Sequence, residues 1–300
     1  MEEKIGIIGA GRLGSGLARA LSEVGSSVIA VCDKEKAKGR KCAGLCGEST
    51  KYYPIEDLPE ELTILFLTVP DDTLSEIAKQ LAGIKSITGH TIVAHTSGAL
   101  ASDVLSDLLP RTELIASMHP VQTLSGSEND WKRLFGIYFS LEGNPIALQR
   151  LQQLLQKLNG QVFTIDKKDK GLYHLGCVFA SNYLVAVFAA ATQIFQRIGF
   201  PEKKASKILE PLMMASANNV RQTGTAHAAT GPITRGDVGT VSRHIEELQR
   251  NLPELLPSYL ALGQQLADLV KDLPTTDLKR THEIQELISQ KQKELFYQTS

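Results

Sequence analysis

The sequence predicts an α/β fold in which an N-terminal, doubly wound parallel sheet is followed by an all-α domain. Two observations predict it. In the first half, short apolar runs alternate with helical patterns, as in a sheet covered on both faces. After Asp166 no strand pattern remains, and the rest of the chain has helical periodicity. We therefore expect two domains, at residues 1–168 and 169–300, with no flexible linker between them.

Strands are predicted where short runs are rich in Val, Ile and Leu. The clearest run is residues 63–69, Thr-Ile-Leu-Phe-Leu-Thr-Val, which is apolar almost throughout. The other predicted strands lie at residues 4–8, 27–32, 91–95, 114–118, 138–141 and 161–165.

Helices are predicted where apolar residues recur with helical spacing. In the first half they lie at residues 13–24, 73–81 and 146–158. In the second half, residues 170–198 are predicted to form one long helix, and its apolar segment 177–194 is interpreted as a buried core helix. Residues 223–236 are predicted to be an ordered loop. Further helices are expected after Pro201, Asp237 and Pro253 and at residues 280–296.

Composition excludes several classes of protein. The net charge of −1 and the absence of a basic stripe argue against a nucleic-acid partner. No stretch approaches the roughly 20 apolar residues of a membrane helix, and the N-terminus leaves no room for a signal peptide, so we expect a cytoplasmic protein. Neither a disulfide framework nor a metal site is predicted from the four cysteines, Cys32, Cys42, Cys46 and Cys177.

A glycine-rich loop follows the first predicted strand and opens the first predicted helix. Its sequence, Gly-Ala-Gly-Arg-Leu-Gly at residues 9–14, is in this context the dinucleotide-binding signature of a Rossmann domain. Gly9 permits the turn, Gly11 lets the backbone approach the pyrophosphate, and Gly14 lets the helix pack on the sheet. The free N–H groups at the helix start favour a pyrophosphate. Coenzyme contacts are predicted from Gly9, Gly11, Arg12, Leu13 and Gly14.

The choice between NAD and NADP stays open. Asp33 lies 19 residues after Gly14, where an acid accepts the ribose hydroxyls of NAD. Cations at Arg12, Lys34 and Lys36 could instead hold the 2′-phosphate of NADP if Asp33 turns away. Val69 and Pro70 end a predicted strand and are expected near the nicotinamide half of the coenzyme.

Two further predicted strands end in polar residues that would face the same crevice. One ends in His95-Thr-Ser97-Gly and the other in Ser-Met-His119-Pro. Imidazoles and hydroxyls at this place are suited to binding a carbonyl or hydroxyl and to moving a proton. We predict catalytic roles for Ser97 and His119 and a substrate contact for His95.

Polar residues also lie in the predicted long helix and in a later loop. Ser181 and Asn182 follow His174 by seven and eight residues, so all three fall on one helical face. His174 and Asn182 are predicted to be catalytic and Ser181 to contact substrate, the alternative being hydrogen bonds between helices. Arg235 is predicted to bind a carboxylate or phosphate, whereas Asp237 is equally suited to cap a helix.

At this point the residues resemble known families. The first half resembles the coenzyme-binding domain shared by β-hydroxyacid dehydrogenases, pyrroline-5-carboxylate reductases and F420-dependent NADP oxidoreductases. The whole chain resembles the bacterial Rossmann-like and DUF2520 domain-containing proteins. This resemblance implies a 6-phosphogluconate-dehydrogenase-like helical domain, a homodimer formed through it, and NADP as coenzyme. The segments that carry it are residues 9–14, 95–98, 118–120, 179–183 and 230–237.

One departure from these families concerns the proton donor. β-Hydroxyacid dehydrogenases place a catalytic Lys and an Asn four residues apart on the long helix, but here Lys170 is followed at that spacing by His174. The Lys–Asn pair is therefore not carried over, and its position gives His174 a proton-donor role.

The leading hypothesis is an oxidoreductase that moves a hydride between NAD(P) and a small carbonyl, hydroxy-acid or imine substrate. His119 or His174 would be the acid/base. The alternative is a dinucleotide-binding redox sensor or regulator without turnover. A homodimer through the helical domain is expected, because Leu287, Ile288 and Phe296 predict an apolar helix face. Burial within one chain would explain that face equally well.

Overall fold

The computed structural model of the chain describes residues 2–273 and 276–299. It divides into two compact units, Met1–Asn182 and Tyr183–Ser300. The sequence places the domain boundary earlier, at 168/169. The difference arises because the Lys170 side chain is buried in the first unit, where it bonds to Ser97 and Ser117.

The first unit is built on an eight-stranded sheet with the order β3-β2-β1-β4-β5-β6-β7-β8. The strands are β1 Lys4–Ile8, β2 Ser27–Cys32, β3 Lys51–Tyr52, β4 Ile64–Leu67, β5 Ile92–His95, β6 Ile115–Pro120, β7 Tyr138–Gly143 and β8 Gln161–Thr164. The two-residue strand β3 is not among the strands predicted from the sequence.

The sheet is mostly parallel, as predicted, with one exception. β7 runs antiparallel to β6, with His119 opposite Ser140, and β8 then runs parallel to β7. The expectation of a wholly parallel sheet is therefore wrong for its last two strands. Because β1, β4, β5 and β6 are mutually parallel, their carboxyl ends lie along one edge.

Helices cover both faces of this sheet. They are α1 Arg12–Glu23, α2 Lys36–Cys46 and α4 Pro145–Gln156 in one core cluster and α3 Leu74–Ala82 in the other. A further helix, α5 Lys170–Ala180, buries the side chain of Lys170. Alternate residues of β4 enter different cores: Ile64 and Phe66 pack in one cluster, whereas Leu65 and Leu67 pack in the other. This alternation explains the continuous apolar run at residues 63–69, since both faces of the strand are buried.

The second unit is helical, as predicted. Its helices are α6 Asn182–Arg197, α7 Glu202–Thr223, α8 Thr225–Ala228, α9 Val238–Asn251, α10 Leu256–Val270 and α11 Leu278–Thr299. The core forms among α9, α10 and α11 around side chains such as Val241, Leu260 and Ile284. Asp237 caps α9 by accepting a hydrogen bond from the backbone N–H of Thr240 at 3.0 Å. The short helix α8 lies within the segment predicted to be a loop.

The predicted long helix is interrupted. α5 ends at Ala180 and α6 begins at Asn182, because the backbone of Ser181 is distorted, with φ −120° and ψ −65°, although its N–H still donates to the Cys177 carbonyl at 3.0 Å. The helical spacing from which one face was predicted for His174, Ser181 and Asn182 crosses this distortion, and their shared face stays a prediction.

The interpretation of residues 177–194 as a buried core helix is also wrong. In the single chain, Thr192 is the residue that α6 buries and Ala205 the one that α7 buries. The stretch Lys167–Arg197 is long and apolar enough to cross a membrane by length and composition, and 6% of its most apolar window is buried. The sequence-based statement that no stretch approaches this length and composition is therefore corrected.

Candidate functional site

The glycine-rich loop is shaped by close approaches of backbone to backbone. Gly9 has φ +100°, which favours glycine, and a Cβ there would lie 2.6 Å from the Thr68 carbonyl oxygen. A Cβ on Gly14 would lie 1.8 Å from the Gly9 carbonyl oxygen, so α1 can start this close to β1 only with glycine. The Thr68 hydroxyl fastens the turn by donating to the Gly9 carbonyl at 2.6 Å.

Gly11 differs from the other two glycines. A Cβ there would meet nothing within 4 Å, so the space beside its backbone is open. Gly11 is also the N-cap of α1, and no side chain caps the helix. The first N–H groups of α1 therefore face an open space that suits a phosphate. This geometry fits the pyrophosphate of a dinucleotide.

Asp33 ends β2 beside this loop. One carboxylate oxygen accepts from the backbone N–H of Ala10 at 2.6 Å, and the other accepts from that of Glu35 at 2.7 Å. Each oxygen keeps lone pairs for ribose hydroxyls. A cavity of about 510 Å³ beside the loop is also lined by four cationic side chains, Arg12, Arg19, Lys38 and Lys41. Features that suit NAD and NADP therefore lie next to each other.

The turn after β5 is held by its own side chains. His95 is fully buried, and its Nδ1 accepts from the Ser97 N–H while Nε2 lies 3.1 Å from the Ala101 carbonyl. The Ser97 hydroxyl donates to the Asp71 carboxylate at 2.7 Å and accepts from the N–H groups of Ala99 and Leu100. Hydrogen bonds within the protein thus engage both side chains. The catalytic role of Ser97 and the substrate contact of His95 stay predictions.

The strand end at Pro70 leads directly into this arrangement. Val69 packs against the core below the strand, and Pro70 is exposed and precedes a short 3₁₀ helix at Asp71–Thr73. Through the Ser97 bond, Asp71 is held at the carboxyl edge of the sheet. No role was predicted for Asp71 from the sequence.

The imidazole of His119 lies between two residues of α5. Its Nδ1 is 2.7 Å from the hydroxyl of Tyr173, and its ring meets the ring of His174 edge-to-face with centroids 6.0 Å apart. Both imidazoles approach Gly98, where a Cβ would lie 2.5 Å from His174 Cδ2 and 3.0 Å from His119 Nε2. Glycine at position 98 is what allows both rings to reach this turn.

Lys170 is 1% exposed, and its ammonium lies 5.8 Å from the centre of the Tyr173 ring. Its ammonium donates to the Ser97 carbonyl at 3.2 Å and to the Ser117 hydroxyl at 2.7 Å. The Ser117 hydroxyl itself donates to the Ser97 carbonyl at 3.2 Å. α5 is thereby fastened to both β5 and β6.

Burial sets the charge of these groups. Desolvation is the main cause that lowers the pKa of His95 to about 4 and that of His119 to about 4, and the nearby Lys170 ammonium acts on His119 in the same direction. Desolvation likewise lowers the pKa of Lys170 to about 8 and raises that of Tyr173 to about 12. At neutral pH the His119 imidazole and the Tyr173 phenol are both uncharged.

A cavity of about 320 Å³ opens onto these groups within the first unit. Arg12 and Leu13 of the glycine-rich loop line one side, and Asp71, His119 and His174 line the other. Imidazoles that can exchange a proton therefore line the same cavity as residues of the glycine-rich loop.

The structure brings together some predicted residues and leaves others apart. His119, His174 and Ser97 share the cavity with Arg12 and Leu13, whereas Ser181 and Asn182 do not line it. Arg235 is exposed in the second unit, on the loop before α9. No role was predicted for Tyr173, and Lys170 was predicted not to form the lysine–asparagine pair of the β-hydroxyacid dehydrogenases. Helical spacing does place Lys170, Tyr173 and His174 within one turn, which is a usable signal.

Two domain profiles match the chain. Residues 2–120 match a Rossmann-like domain, and residues 137–266 match DUF2520, a domain of unknown function. Among curated proteins, none matches this sequence.

Solved structures share the fold over most of the chain. A candidate NADP oxidoreductase from Bacteroides fragilis has a TM-score of 0.73 at 22% identity, covering 88% of this chain and 98% of that one. A protein from Thermotoga maritima has a TM-score of 0.69 at 22% identity, covering 89% and 98%. Plasmodium falciparum pyrroline carboxylate reductase with NADP bound has a TM-score of 0.58 at 13% identity, covering 90% and 99%.

Proposed function

We propose that the chain, whose first and second parts match a Rossmann-like domain and DUF2520, is an NAD(P)-dependent oxidoreductase acting on a small carbonyl, hydroxy-acid or imine substrate. The observation that carries the proposal is the shared cavity. It joins the glycine-rich loop, through Arg12 and Leu13, to His119 and His174 at the strand ends. Shared fold with NADP-binding reductases supports it further.

In this proposal the chain's residues bind and orient the reactants. The N–H groups at the start of α1 bind the pyrophosphate, and Asp33 or the neighbouring cations bind the adenosine ribose. The bound nicotinamide would supply or accept the hydride. His119 or His174 would exchange a proton with the reacting oxygen or nitrogen. The proposal keeps a catalytic role for Asn182 and substrate contacts for Ser181 and Arg235, and it includes a cytoplasmic location.

Fluorescence titration of the purified protein with NADPH and, separately, NADH tests the proposal. Saturable binding of at least one of the two coenzymes is expected. Tighter binding of NADH would assign the ribose contact to Asp33, and tighter binding of NADPH would assign it to the neighbouring cations. Oxo acids and imines are then screened for oxidation of that coenzyme. Binding without turnover would favour a redox sensor, and no binding of either coenzyme would contradict the proposal.

We also propose that a second copy of the chain covers the apolar face of α6 and α7. Val185, Ile198 and Leu212 are 69%, 66% and 66% exposed, which is unusual for a single folded chain. A symmetric dimer is the commonest way to bury such a face. The dimer was first predicted from an apolar face that includes Ile288. Ile288 is buried in the core of the second unit, so it does not support the dimer.

Light scattering at micromolar concentration tests the dimer. Wild-type protein is expected to have the mass of two chains, and Val185→Glu with Leu212→Glu is expected to have the mass of one. Leu278→Glu, at a residue that is 65% exposed on α11, is the matched control and should leave the mass unchanged. A wild-type monomer that sediments with phospholipid vesicles would instead assign this face to a membrane.

A further inference from the structure

The contact between His119 and Tyr173 determines which ring nitrogen of His119 carries the proton. Both groups are uncharged at neutral pH, because burial lowers the pKa of His119 to about 4 and raises that of Tyr173 to about 12. A neutral imidazole has one N–H donor and one bare nitrogen acceptor, and a phenol has one proton to donate. The 2.7 Å contact therefore has two arrangements, which differ in the direction of donation.

Chemistry favours donation from the phenol. A phenol O–H is a stronger acid than a neutral imidazole N–H, and an imidazole nitrogen is a stronger base than a phenol oxygen. The 2.7 Å separation also matches the usual length of a bond donated by O–H, which is shorter than one donated by N–H. The phenol thus donates to Nδ1, and the imidazole proton lies on Nε2.

The second nitrogen faces the cavity. Nε2 lies 3.0 Å from the position that a Cβ on Gly98 would take, next to Cδ2 of His174, and all three residues line the cavity. Within residues 2–273 and 276–299, the hydrogen bond found for the His119 ring is the one at Nδ1. The positive charge of Lys170, which is held by Ser97 and Ser117, further disfavours a second proton on the ring.

We propose that Tyr173 is a positioning residue that fixes His119 with an N–H directed into the cavity, so that the site takes a hydrogen-bond acceptor: a carbonyl oxygen or an imine nitrogen. This inference rests on the proposed function for its reaction and narrows the substrate class. A hydroxyl substrate needs a bare nitrogen as base, and the Tyr173 bond occupies the bare nitrogen of His119.

The proton balance of the reduction follows from this geometry. The carbonyl or imine is reduced and the nicotinamide coenzyme is oxidised. The substrate oxygen or nitrogen gains an electron pair and takes the proton from Nε2, and Nδ1 then takes the proton of Tyr173. The resulting phenolate recovers a proton from water. Oxidation of the hydroxyl or amine compound by the same path would have to start with no proton on Nε2. The hydrogen bond from Tyr173 to Nδ1 keeps the proton on Nε2.

Nitrogen NMR of histidine-labelled protein tests the assignment without coenzyme or substrate. The chain has seven histidines, and His119→Asn identifies the signals of His119. A protonated ring nitrogen and a bare one resonate far apart, so the spectrum reports the tautomer. In the wild type at neutral pH, Nε2 is expected to be protonated and Nδ1 bare. Protonation at Nδ1 would overturn the proposal.

Tyr173→Phe removes the hydroxyl and keeps the ring, and it is expected to shift His119 to a mixture of tautomers. Tyr138→Phe is the matched control, because Tyr138 is exposed in the same unit and should leave His119 unchanged. An unchanged His119 signal in folded Tyr173→Phe protein would overturn the role of Tyr173. If that variant does not fold, the wild-type spectrum still decides the tautomer.

Turnover gives a second measurement. With a carbonyl or imine found by screening, Tyr173→Phe is expected to lower kcat at least about tenfold, as loss of an oriented proton donor does, while the Kd for coenzyme is unchanged. Equally fast oxidation of the corresponding hydroxyl compound at neutral pH would overturn the narrowed substrate class. Because the NMR result needs no coenzyme, failure of coenzyme binding is distinguishable from failure of this inference.

Discussion

The ammonium of Lys170 donates a hydrogen bond to Oγ of Ser117 across 2.7 Å, and both residues are buried. The second oxygen that Lys170 bonds, the carbonyl of Ser97, is also uncharged. Because neutral oxygens replace water only in part, burial lowers the pKa of Lys170 to about 8. A buried cation held in this way makes the stability of the first unit depend on pH.

Lys170→Met is expected to remove that dependence. Between pH about 8 and about 10.5 the unfolded chain keeps the Lys170 proton and the folded chain releases it, so wild-type stability rises with pH in this window. The shift corresponds to roughly 3 kcal/mol in favour of the wild type across the window. Urea unfolding of both proteins at several pH values measures it. Lys168→Met, at an exposed residue, should behave like the wild type. Parallel curves for wild type and Lys170→Met would contradict the prediction.

His95 is expected to contribute a loss of stability in acid. Burial lowers the pKa of His95 in the folded state to about 4. Below pH about 6.5 the His95 side chain of the unfolded chain therefore binds a proton, whereas that of the folded chain stays neutral down to about pH 4. The contribution is complete above pH about 6.5 and is lost as pH falls to about 4, by at most roughly 3 kcal/mol.

His95→Gln tests this loss, because glutamine can still donate to the Ala101 carbonyl and does not titrate. The variant is expected to lose less stability than the wild type over the same pH range. His90→Gln, at an exposed histidine, is the control and should follow the wild type. An acid dependence that is equal in all three proteins would exclude His95 as its source.

Gly11→Ala is expected to separate coenzyme binding from folding. A Cβ at residue 11 meets nothing in the protein, so the free energy of unfolding should change by less than about 1 kcal/mol. The same methyl group would stand where the pyrophosphate approaches, so the Kd for the preferred coenzyme should rise at least about tenfold. Gly44→Ala, on α2 with equally open surroundings, is the control. Unchanged affinity in Gly11→Ala would place the ligand elsewhere.

Gly98→Ala is expected to displace His174. The new Cβ would lie 2.5 Å from His174 Cδ2, so that ring must move, and access to His119 Nε2 narrows. Turnover should fall about tenfold or more with coenzyme affinity unchanged, since misplacement of a reacting group is costly. Histidine NMR signals report the displacement directly. If the signals of His119 and His174 are identical to those of the wild type, the backbone of the turn at residue 98 has moved and the His174 ring has not.

The sequence predicted the sheet and the coenzyme loop well because their signals are local. Apolar runs indicate buried strands, and the glycine-rich motif lies within one short segment, residues 9–14. The reversed direction of β7 was not predictable, because an apolar run carries no information about strand direction. The break at Ser181 has no proline or glycine to announce it.

The side-chain pairs of the site were harder to predict. His119 and Tyr173 are separated by 54 residues, and Lys170 and Ser117 by 53. Such contacts exist only once α5 packs against the sheet edge. Ser97 shows the opposite difficulty: its hydroxyl looked available in the sequence, but three hydrogen bonds to Asp71, Ala99 and Leu100 fill it.

The placement of α5 within the first unit has a consequence for how this protein can evolve. Tyr173, His119, Lys170 and the glycine-rich loop all lie between residues 1 and 182, although the sequence assigns α5 to the helical half. Substitutions at residues 183–300 therefore leave the amino-acid identity of all these groups unchanged.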